Sequence, residues 1–215
     1  MTIDAIAFAS LLCSRLCHDL LSPVGALSNG LELLAEEDDP EIRQQCLDLL
    51  AESTRATTHK LKFFRLAFGA AGGFGDEVSS EEVRAALEGL FAASKRVSIG
   101  WLVTDPLLPK PVAKILLNLA MIAGDALVRG GRLDIGAERH ADRAEIVVRA
   151  TGDRLVLDPA IRQALCGDVL AADLTPRLAA AWMVHGMTSA TGGALQLSPE
   201  GAPHILFGAF LPRAA

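Results

Sequence analysis

The 215-residue chain contains no tyrosine, and aromatic residues make up only 5% of it. Because 51% of the residues are nevertheless hydrophobic, the composition predicts a sizeable core built mainly from aliphatic side chains. Basic residues are also few: 20 Lys and Arg stand against 26 Asp and Glu, which gives a net charge of −6. Proteins that bind nucleic acid neutralise phosphates with clustered Lys and Arg, so we expect no nucleic acid partner.

The four cysteines, Cys13, Cys17, Cys46 and Cys166, form no CxxC pair, which is typical of reduced thiols in a cytoplasmic protein. Cys13 and Cys17 lie one helical turn apart beside His18, but the spacing places no third and fourth ligand near them, so no metal site is predicted. A membrane location is not expected either. The first ten residues lack the basic segment of a signal peptide, and charged or polar residues interrupt every apolar run before it reaches 18 residues.

Residues 3–68 show helical periodicity with one interruption, near Asp39 and Pro40. Asp39 is suited to cap a helix and Pro40 to occupy its first turn, so one helix ends near residue 36 and a second begins near residue 40. A connection this short predicts an antiparallel helical hairpin. Two helices bury little apolar surface by themselves, so we expect a second copy of the chain to complete a four-helix bundle in a homodimer.

Beyond a glycine-rich stretch at residues 69–75, helical and strand patterns alternate, and Ser79 and Glu82 have the spacing of a capping box. The patterns predict helices at 80–94, 111–128, 159–165 and 176–190, and strands at 97–103, 132–137, 144–150, 194–197 and 204–211. Helices and antiparallel strands in this order favour an α/β sandwich, so the predicted fold class is α+β with an N-terminal helical hairpin. The predicted domain bounds are 1–69 for the hairpin, 70–78 for a linker and 79–215 for the sandwich.

The first predicted helix contains His18 and Asp19, and Pro23 follows five residues after the histidine. A proline inside a helix removes a backbone hydrogen bond and costs roughly 3 kcal/mol, so its presence requires a compensating feature. At about 100° per residue, the leucine stripe of this helix lies behind His18. The face around His18 carries small or polar residues, namely Ser14, Ser22, Gly25, Asn29, Glu32 and Glu36. We therefore expect His18 to project into solvent from the outside of the bundle.

An exposed histidine beside an acid suits phosphoryl transfer. Histidine has a pKa of roughly 6.5 in model peptides, so a neutral imidazole that can act as a nucleophile is available near neutral pH. One ring nitrogen attacks phosphorus while the other carries the proton, and Asp19 is placed to hold that tautomer and to stabilise the positive ring that forms. The alternative interpretation, a surface histidine without a role, leaves Pro23 and the small-residue face unexplained.

The segment His18–Pro23 resembles the H-box of two-component histidine kinases, a histidine and an acid followed by a proline five residues after the histidine. The hairpin is similar to their dimerisation and histidine-phosphotransfer domain, and residues 114–123 around Asn118 resemble the N-box helix of their ATP-binding domain. This likeness implies a histidine-kinase ATPase-like sandwich in the second region.

The nucleotide-binding motifs of those kinases are degenerate in this chain. Ile122 stands where a kinase has the asparagine that binds the magnesium of the nucleotide, and an aliphatic side chain cannot ligate Mg²⁺. Ala150 stands where a kinase has the aspartate that contacts adenine, and Arg154 stands in place of a loop glycine. The segment 175–181, where a glycine-rich loop is expected, contains no glycine.

An intact H-box beside a degenerate nucleotide site resembles the ChpT-type histidine phosphotransferases of alphaproteobacteria. The resemblance implies an ATP-independent enzyme that accepts a phosphoryl group on His18 from the receiver domain of a hybrid histidine kinase. It would pass the group to the aspartate of response regulators in a cell-cycle or developmental phosphorelay. This chain would bind no cofactor of its own, because the receiver domain brings the Mg²⁺. Two other functions stay open: a non-catalytic scaffold or inhibitor that binds receiver domains or kinases, and an active ATP-dependent kinase.

The partner-binding surface is expected on the exposed helix face near His18, together with the facing part of the second helix. The expected docking residues on the first helix are Ser22, Gly25, Ala26 and Asn29. Antiparallel pairing places residues near 57 level with His18, so Arg55 and Lys60 are candidates for neutralising the transferring phosphoryl group or meeting an acidic receiver pocket. A solvated basic face is the alternative interpretation of these two cations.

Overall fold

The computed structural model describes residues 3–69, 76–92, 94 and 96–212. Two long helices, α1 (Ala5–Glu36) and α2 (Pro40–Ala67), form the predicted hairpin. Asp39 caps α2, because its carboxylate accepts hydrogen bonds from the amides of Glu41 and Ile42 at 2.8 and 3.4 Å. The helix α1 continues without a break through Pro23.

The described chain after the hairpin alternates helices with strands. Its helices are α3 (Ser80–Phe91), α4 (Lys110–Asp125), α5 (Pro159–Cys166) and α6 (Ala179–Ala190), with short 3-10 turns at Ala171–Asp173 and Pro176–Leu178. Its strands are β1 (Glu77–Ser79), β2 (Val97–Trp101), β3 (Leu107–Pro109), β4 (Gly131–Arg139), β5 (Arg143–Thr151), β6 (Ala194–Leu197) and β7 (Ile205–Pro212). Five strands form one sheet in the order β2-β4-β5-β7-β6, in which β2 runs parallel to β4 and the other neighbours are antiparallel.

This architecture confirms the predicted α+β fold class, a helical hairpin followed by helices packed on a mixed sheet. The strands β1 and β3, which pair antiparallel, were not expected, since three residues are too few to show alternation. The expected capping box is not formed. Ser79 occupies the N-cap position of α3 without a side-chain hydrogen bond, and Glu82 instead accepts one from Nη2 of Arg65 at 2.8 Å.

The hairpin and the α/β part share one hydrophobic core. The helix α4 is buried almost throughout, and Phe63 and Phe64 near the end of α2 belong to the same core cluster. Asn118 is also buried, and its Nδ2 donates hydrogen bonds to the carbonyl oxygen of Ala67 at 3.2 Å and to that of Lys114 at 2.8 Å. The contact satisfies a carbonyl group at the C-terminal end of α2, where intrahelical donors run out. The hairpin is therefore packed against the part of the fold that follows it.

The glycine-rich part of the predicted linker, residues 70–75, lies outside the described residues. The residues that follow it form β1, whose Glu77 is paired with Pro109 of β3. The predicted domain bounds stay a prediction.

Several large apolar side chains on the hairpin are exposed, among them Ile6, Leu21, Val24, Leu31, Leu33, Ile42, Leu47, Leu49 and Leu61. Of the described helices, α1 is the one long and apolar enough, by length and composition, to cross a membrane. This is weak evidence, because core helices of soluble proteins and signal sequences pass the same test. The expectation of no membrane span stays a prediction.

Candidate functional site

His18 lies near the middle of α1 with 83% of its side chain exposed, on the outside of the hairpin where helical geometry predicted it. Its Nδ1 is 3.1 Å from Oδ1 of Asp19. A carboxylate can only accept a hydrogen bond, so the proton of this contact sits on Nδ1. The Nε2 atom then carries the lone pair of the neutral ring and is the atom available to attack an electrophile.

Asp19 is bound on both of its carboxylate oxygens. Nε of Arg15 donates to Oδ2 at 2.6 Å, while Oδ1 faces His18. Burial by itself raises the pKa of Asp19, but the hydrogen bonds from Arg15 and His18 and the positive charges of Arg15 and Lys60 outweigh it. The pKa of Asp19 therefore lies below its usual value, and the group is a carboxylate at neutral pH.

The proline in α1 has a structural counterpart in α2. In an unbroken α-helix the carbonyl of Asp19 would accept a hydrogen bond from the amide of residue 23, but Pro23 has no N–H. Nζ of Lys60, which is half-buried, donates to this carbonyl oxygen at 2.7 Å. The ammonium group thus replaces the missing backbone donor directly beneath the His18–Asp19 pair.

The site opens into a cleft of about 510 Å³ between α1 and the α/β part. Its lining residues are Ser14, Arg15, His18 and Asp19 of α1, Asp125 at the end of α4, Ile161 of α5, and Thr175, Pro176 and Arg177 before α6. A second cleft of about 450 Å³ is lined by other residues, including Pro109, Arg139 and Leu211.

Two ion pairs border the cleft, one between α1 and the α/β part and one within the α/β part. Oδ2 of Asp125 lies 3.6 Å from Nη2 of Arg15, and Nη2 of Arg177 lies 3.1 Å from Oδ2 of Asp158. Surrounding protein atoms raise the pKa of Asp125; the positive charge of Arg15 opposes this rise and the negative charge of Asp19 adds to it. Since 60% of the Asp125 side chain is solvent accessible, water screens these interactions.

The expected docking face of α1 is open. Ser22, Gly25 and Asn29 are exposed and Ala26 is half-buried. A Cβ atom placed on Gly25 would meet nothing within 4 Å, so a partner can approach the backbone closely there. The roles assigned to these four residues stay predictions.

The two cations expected near His18 differ in their placement. Lys60 reaches the backbone of Asp19, whereas Arg55 is exposed and has no hydrogen bond or ion pair to any described residue. Neither Arg15 nor Asp125 was expected at this site from the sequence. The four-residue spacing of Arg15 and Asp19 on one helix could have indicated their ion pair, but no local pattern points to Asp125.

Three positions correspond to nucleotide-binding residues of histidine kinases, and in this chain they are occupied by Ile122, Ala150 and Arg154. The side chains of Ile122 and Ala150 are buried in the core cluster, and Arg154 is exposed. Thr175 leads through a single 3-10 turn directly into α6.

No group of three or more His, Cys, Asp and Glu side chains among the described residues is arranged to hold a metal ion. Cys13 and Cys17 are exposed free thiols.

Residues 80–203 match a family model described as the histidine phosphotransferase C-terminal domain. The protein phosphotransferase ChpT of Brucella abortus (strain 2308) is 36% identical over 159 residues, which is 74% of this chain and 74% of that protein. A solved bacterial phosphotransferase superposes with a TM-score of 0.84 and 28% identity, covering 97% of this chain and 98% of its own. The catalytic domain of histidine kinase ThkA superposes with a TM-score of 0.46 and 14% identity, covering 63% of this chain and 94% of its own.

Proposed function

Because the chain belongs to the ChpT-type family of histidine phosphotransferases, we propose that His18 is the residue that carries the phosphoryl group in its phosphorelay. The observation that carries this proposal is the His18–Asp19 pair. The imidazole is 83% exposed, and its Nδ1 lies 3.1 Å from a carboxylate oxygen. Exposure lets a second protein bring its phosphoryl group to the ring, and the carboxylate keeps Nε2 unprotonated for attack.

The reaction is a reversible exchange between histidine and aspartate. Nε2 of His18 forms a bond to the phosphorus of an aspartyl phosphate while the bond from phosphorus to the aspartate oxygen breaks. The aspartate leaves as a carboxylate with the electron pair, and the proton stays on Nδ1 of His18. The ring becomes positively charged, and the Asp19 carboxylate stabilises that charge. The reverse sequence delivers the group to the aspartate of the next protein.

The proposed phosphoryl source is a receiver domain of a hybrid histidine kinase, and the proposed acceptors are response regulators, including regulators of the cell cycle. Burial of Ile122 and Ala150 in the core supports a reaction without ATP, since these positions offer neither an oxygen ligand for Mg²⁺ nor a polar contact for adenine. In this scheme the receiver domain supplies the Mg²⁺, and the partner docks over Ser22, Gly25, Ala26 and Asn29.

We also propose that the protein is a homodimer and that it is located in the cytoplasm. The exposed apolar side chains on the hairpin support the homodimer, because monomeric proteins rarely leave large apolar surfaces facing water. Packing two hairpins together would bury these side chains in a four-helix bundle.

The test is a transfer assay with and without ATP. A panel of receiver domains, each carrying labelled phosphate on aspartate and freed of ATP, is mixed with wild type, His18→Ala or His204→Ala. We expect acid-labile label on wild type and on His204→Ala and none on His18→Ala. Since His18 lies off the core, its replacement should change the free energy of unfolding by no more than about 0.5 kcal/mol.

Three outcomes are distinguished by this assay. Binding of a receiver domain without transfer to wild type would contradict the proposal and favour the scaffold function. Label from ATP alone would identify an active kinase. Label on His18→Ala equal to that on wild type would place the phosphoryl group on another residue.

A further inference from the structure

Arg15 lies between two carboxylates that come from different parts of the fold. It is on α1, four residues before Asp19, and only 16% of its side chain is exposed. Its Nε bonds Oδ2 of Asp19 at 2.6 Å, and its Nη2 lies 3.6 Å from Oδ2 of Asp125, the last residue of α4. One guanidinium group therefore joins the hairpin to the α/β part beside His18.

Because Arg15 binds Oδ2 of Asp19, it is the other oxygen, Oδ1, that faces His18. Neighbouring positions on a helix diverge by about 100°, so helix geometry alone does not direct Asp19 toward His18. Arg15 occupies Oδ2 and leaves Oδ1 at 3.1 Å from Nδ1 of His18. The hydrogen bond from Nε of Arg15 holds one carboxylate oxygen of Asp19, so the other oxygen is the one that faces His18.

Asp125 gives Arg15 a second carboxylate contact, at 3.6 Å, outside the hairpin. An acidic residue at the C-terminal end of a helix is unfavourable next to the negative end of the helix dipole, and Arg15 offsets that cost here. The helix α4 is buried almost throughout, so its end does not move independently of the core. Through Asp125 the α/β part contacts the side chain that holds Asp19.

The other cations near the site are engaged elsewhere. Lys60 donates to the backbone oxygen of Asp19, and Arg177 pairs with Asp158 at 3.1 Å. Neither of them occupies Oδ2 of Asp19. Arg15 is therefore the cation that sets the orientation of this carboxylate.

We propose that Arg15 is a positioning residue for phosphotransfer, anchored by Asp125 so that Asp19 keeps the proton on Nδ1 of His18 and leaves Nε2 free for the phosphoryl group. The inference rests on the proposed function in one respect, that His18 is the phosphoryl acceptor. It assigns the retained α/β part a role in the reaction that does not depend on nucleotide.

The experiment combines nitrogen NMR with transfer rates. The ¹⁵N chemical shifts of the two His18 ring nitrogens report which one carries the proton, in wild type, Arg15→Ala, Arg15→Gln and Asp125→Asn. Histidine in water prefers the proton on Nε2, so we expect the Nδ1–H form to dominate in wild type and to be lost in both Arg15 variants. Asp125→Asn should show a partial loss of the Nδ1–H form.

Transfer from a phosphorylated receiver domain should slow about tenfold or more in the Arg15 variants, as is typical when a group that orients a reactive side chain is removed.

Arg84→Ala is the matched control, because Arg84 forms an ion pair of the same four-residue spacing, with Glu88 on α3 at 2.9 Å. It should change neither the tautomer nor the rate. If Arg15→Ala does not fold, the tautomer in Arg15→Gln, which keeps the aliphatic stem of arginine but neither its charge nor its two Nη atoms, tests the inference. An unchanged tautomer in the Arg15 variants would overturn the inference even where wild type transfers label. If wild type accepts no label, the proposed function fails, while the NMR measurement still decides whether Arg15 and Asp125 set the tautomer.

Discussion

At residue 19 a single carboxylate accepts hydrogen bonds on both oxygens, from Arg15 and from His18. Burial tends to raise the pKa of this group, and the hydrogen bonds and neighbouring positive charges lower it further than burial raises it. A carboxyl group whose pKa is lower in the folded than in the unfolded state stabilises the fold in its charged form. Asp19 therefore accepts the hydrogen bond from Nδ1 of His18 and also stabilises the hairpin.

Asp19→Asn should lower the free energy of unfolding by about 1–2 kcal/mol at pH 7, because the charged acceptor of two hydrogen bonds is lost. The difference in the free energy of unfolding between Asp19→Asn and wild type should have its full size above the ordinary Asp pKa of 3.8. It should disappear as the pH falls through the lower pKa that Asp19 has in the folded state. Urea titrations followed by circular dichroism between pH 7 and pH 2 measure it.

Ser22→Ala, at an exposed position that does not titrate, is the control and should show one constant difference over the whole range. A difference for Asp19→Asn that persists at pH 2 would show that the carboxylate charge is not its source.

At the scale of the element, α1 tolerates an internal proline because α2 supplies the missing donor. Pro23 leaves the carbonyl of Asp19 without its helical partner, and Nζ of Lys60 donates to that oxygen at 2.7 Å. An unpaired carbonyl in this part-buried position would cost roughly 1–3 kcal/mol. The proline and the lysine therefore act as a pair that ties the two helices together at the level of His18.

A double-mutant cycle tests this pairing. Lys60→Met should lower the free energy of unfolding by about 1–2 kcal/mol in the wild-type background, since the Asp19 carbonyl loses its donor. In a Pro23→Ala background the amide of residue 23 takes over the carbonyl, so the same substitution should cost about 1 kcal/mol less. Urea denaturation of the four proteins gives the coupling free energy.

Lys62→Met on the exposed side of α2 is the matched control, and it should show no coupling to position 23. A coupling free energy near zero for Lys60 would mean that Lys60 does not compensate for the proline.

At the scale of the whole molecule, the hairpin has one face packed on the α/β core and another that carries exposed apolar side chains. Phe63 and Phe64 anchor the end of α2, and Asn118 bonds the last carbonyl of that helix. Elsewhere on the hairpin Leu31 is 59% exposed and Leu21 is 69% exposed. Burying such side chains against a second copy contributes about 25 cal/mol per Å² of apolar surface.

Leu31→Glu should weaken or abolish the proposed homodimer, because a carboxylate would have to be buried in an apolar interface. Light scattering coupled to size-exclusion chromatography should give twice the 22.7 kDa chain mass for wild type and a value closer to one chain for the variant. Leu170→Glu, at a similarly exposed leucine outside the hairpin, is the control and should stay dimeric. A monomeric wild type at micromolar concentration would contradict the homodimer.

The hairpin, its turn and the outward direction of His18 could be predicted from sequence because each depends on neighbours within a few residues. Helical periodicity placed the histidine opposite the leucine stripe, and Asp39 with Pro40 marked the start of α2. The short strands β1 and β3 could not be predicted, since three residues are too few to show strand alternation. Each segment becomes a strand only through its pairing with the other, which is distant in the sequence. The capping box at Ser79 failed because Glu82 finds Arg65, a residue on another helix.

The sequence alone was enough to predict an exposed helix that carries His18 next to Asp19. Tertiary structure decided what surrounds that pair. Lys60 reaches Asp19 across 41 positions of chain, and Asp125 meets Arg15 only because α4 packs where the hairpin joins the core. A local pattern encodes which face of a helix a residue occupies, whereas the partner on the facing element depends on how the two elements pack. The reason that α1 can contain Pro23 therefore lies in α2.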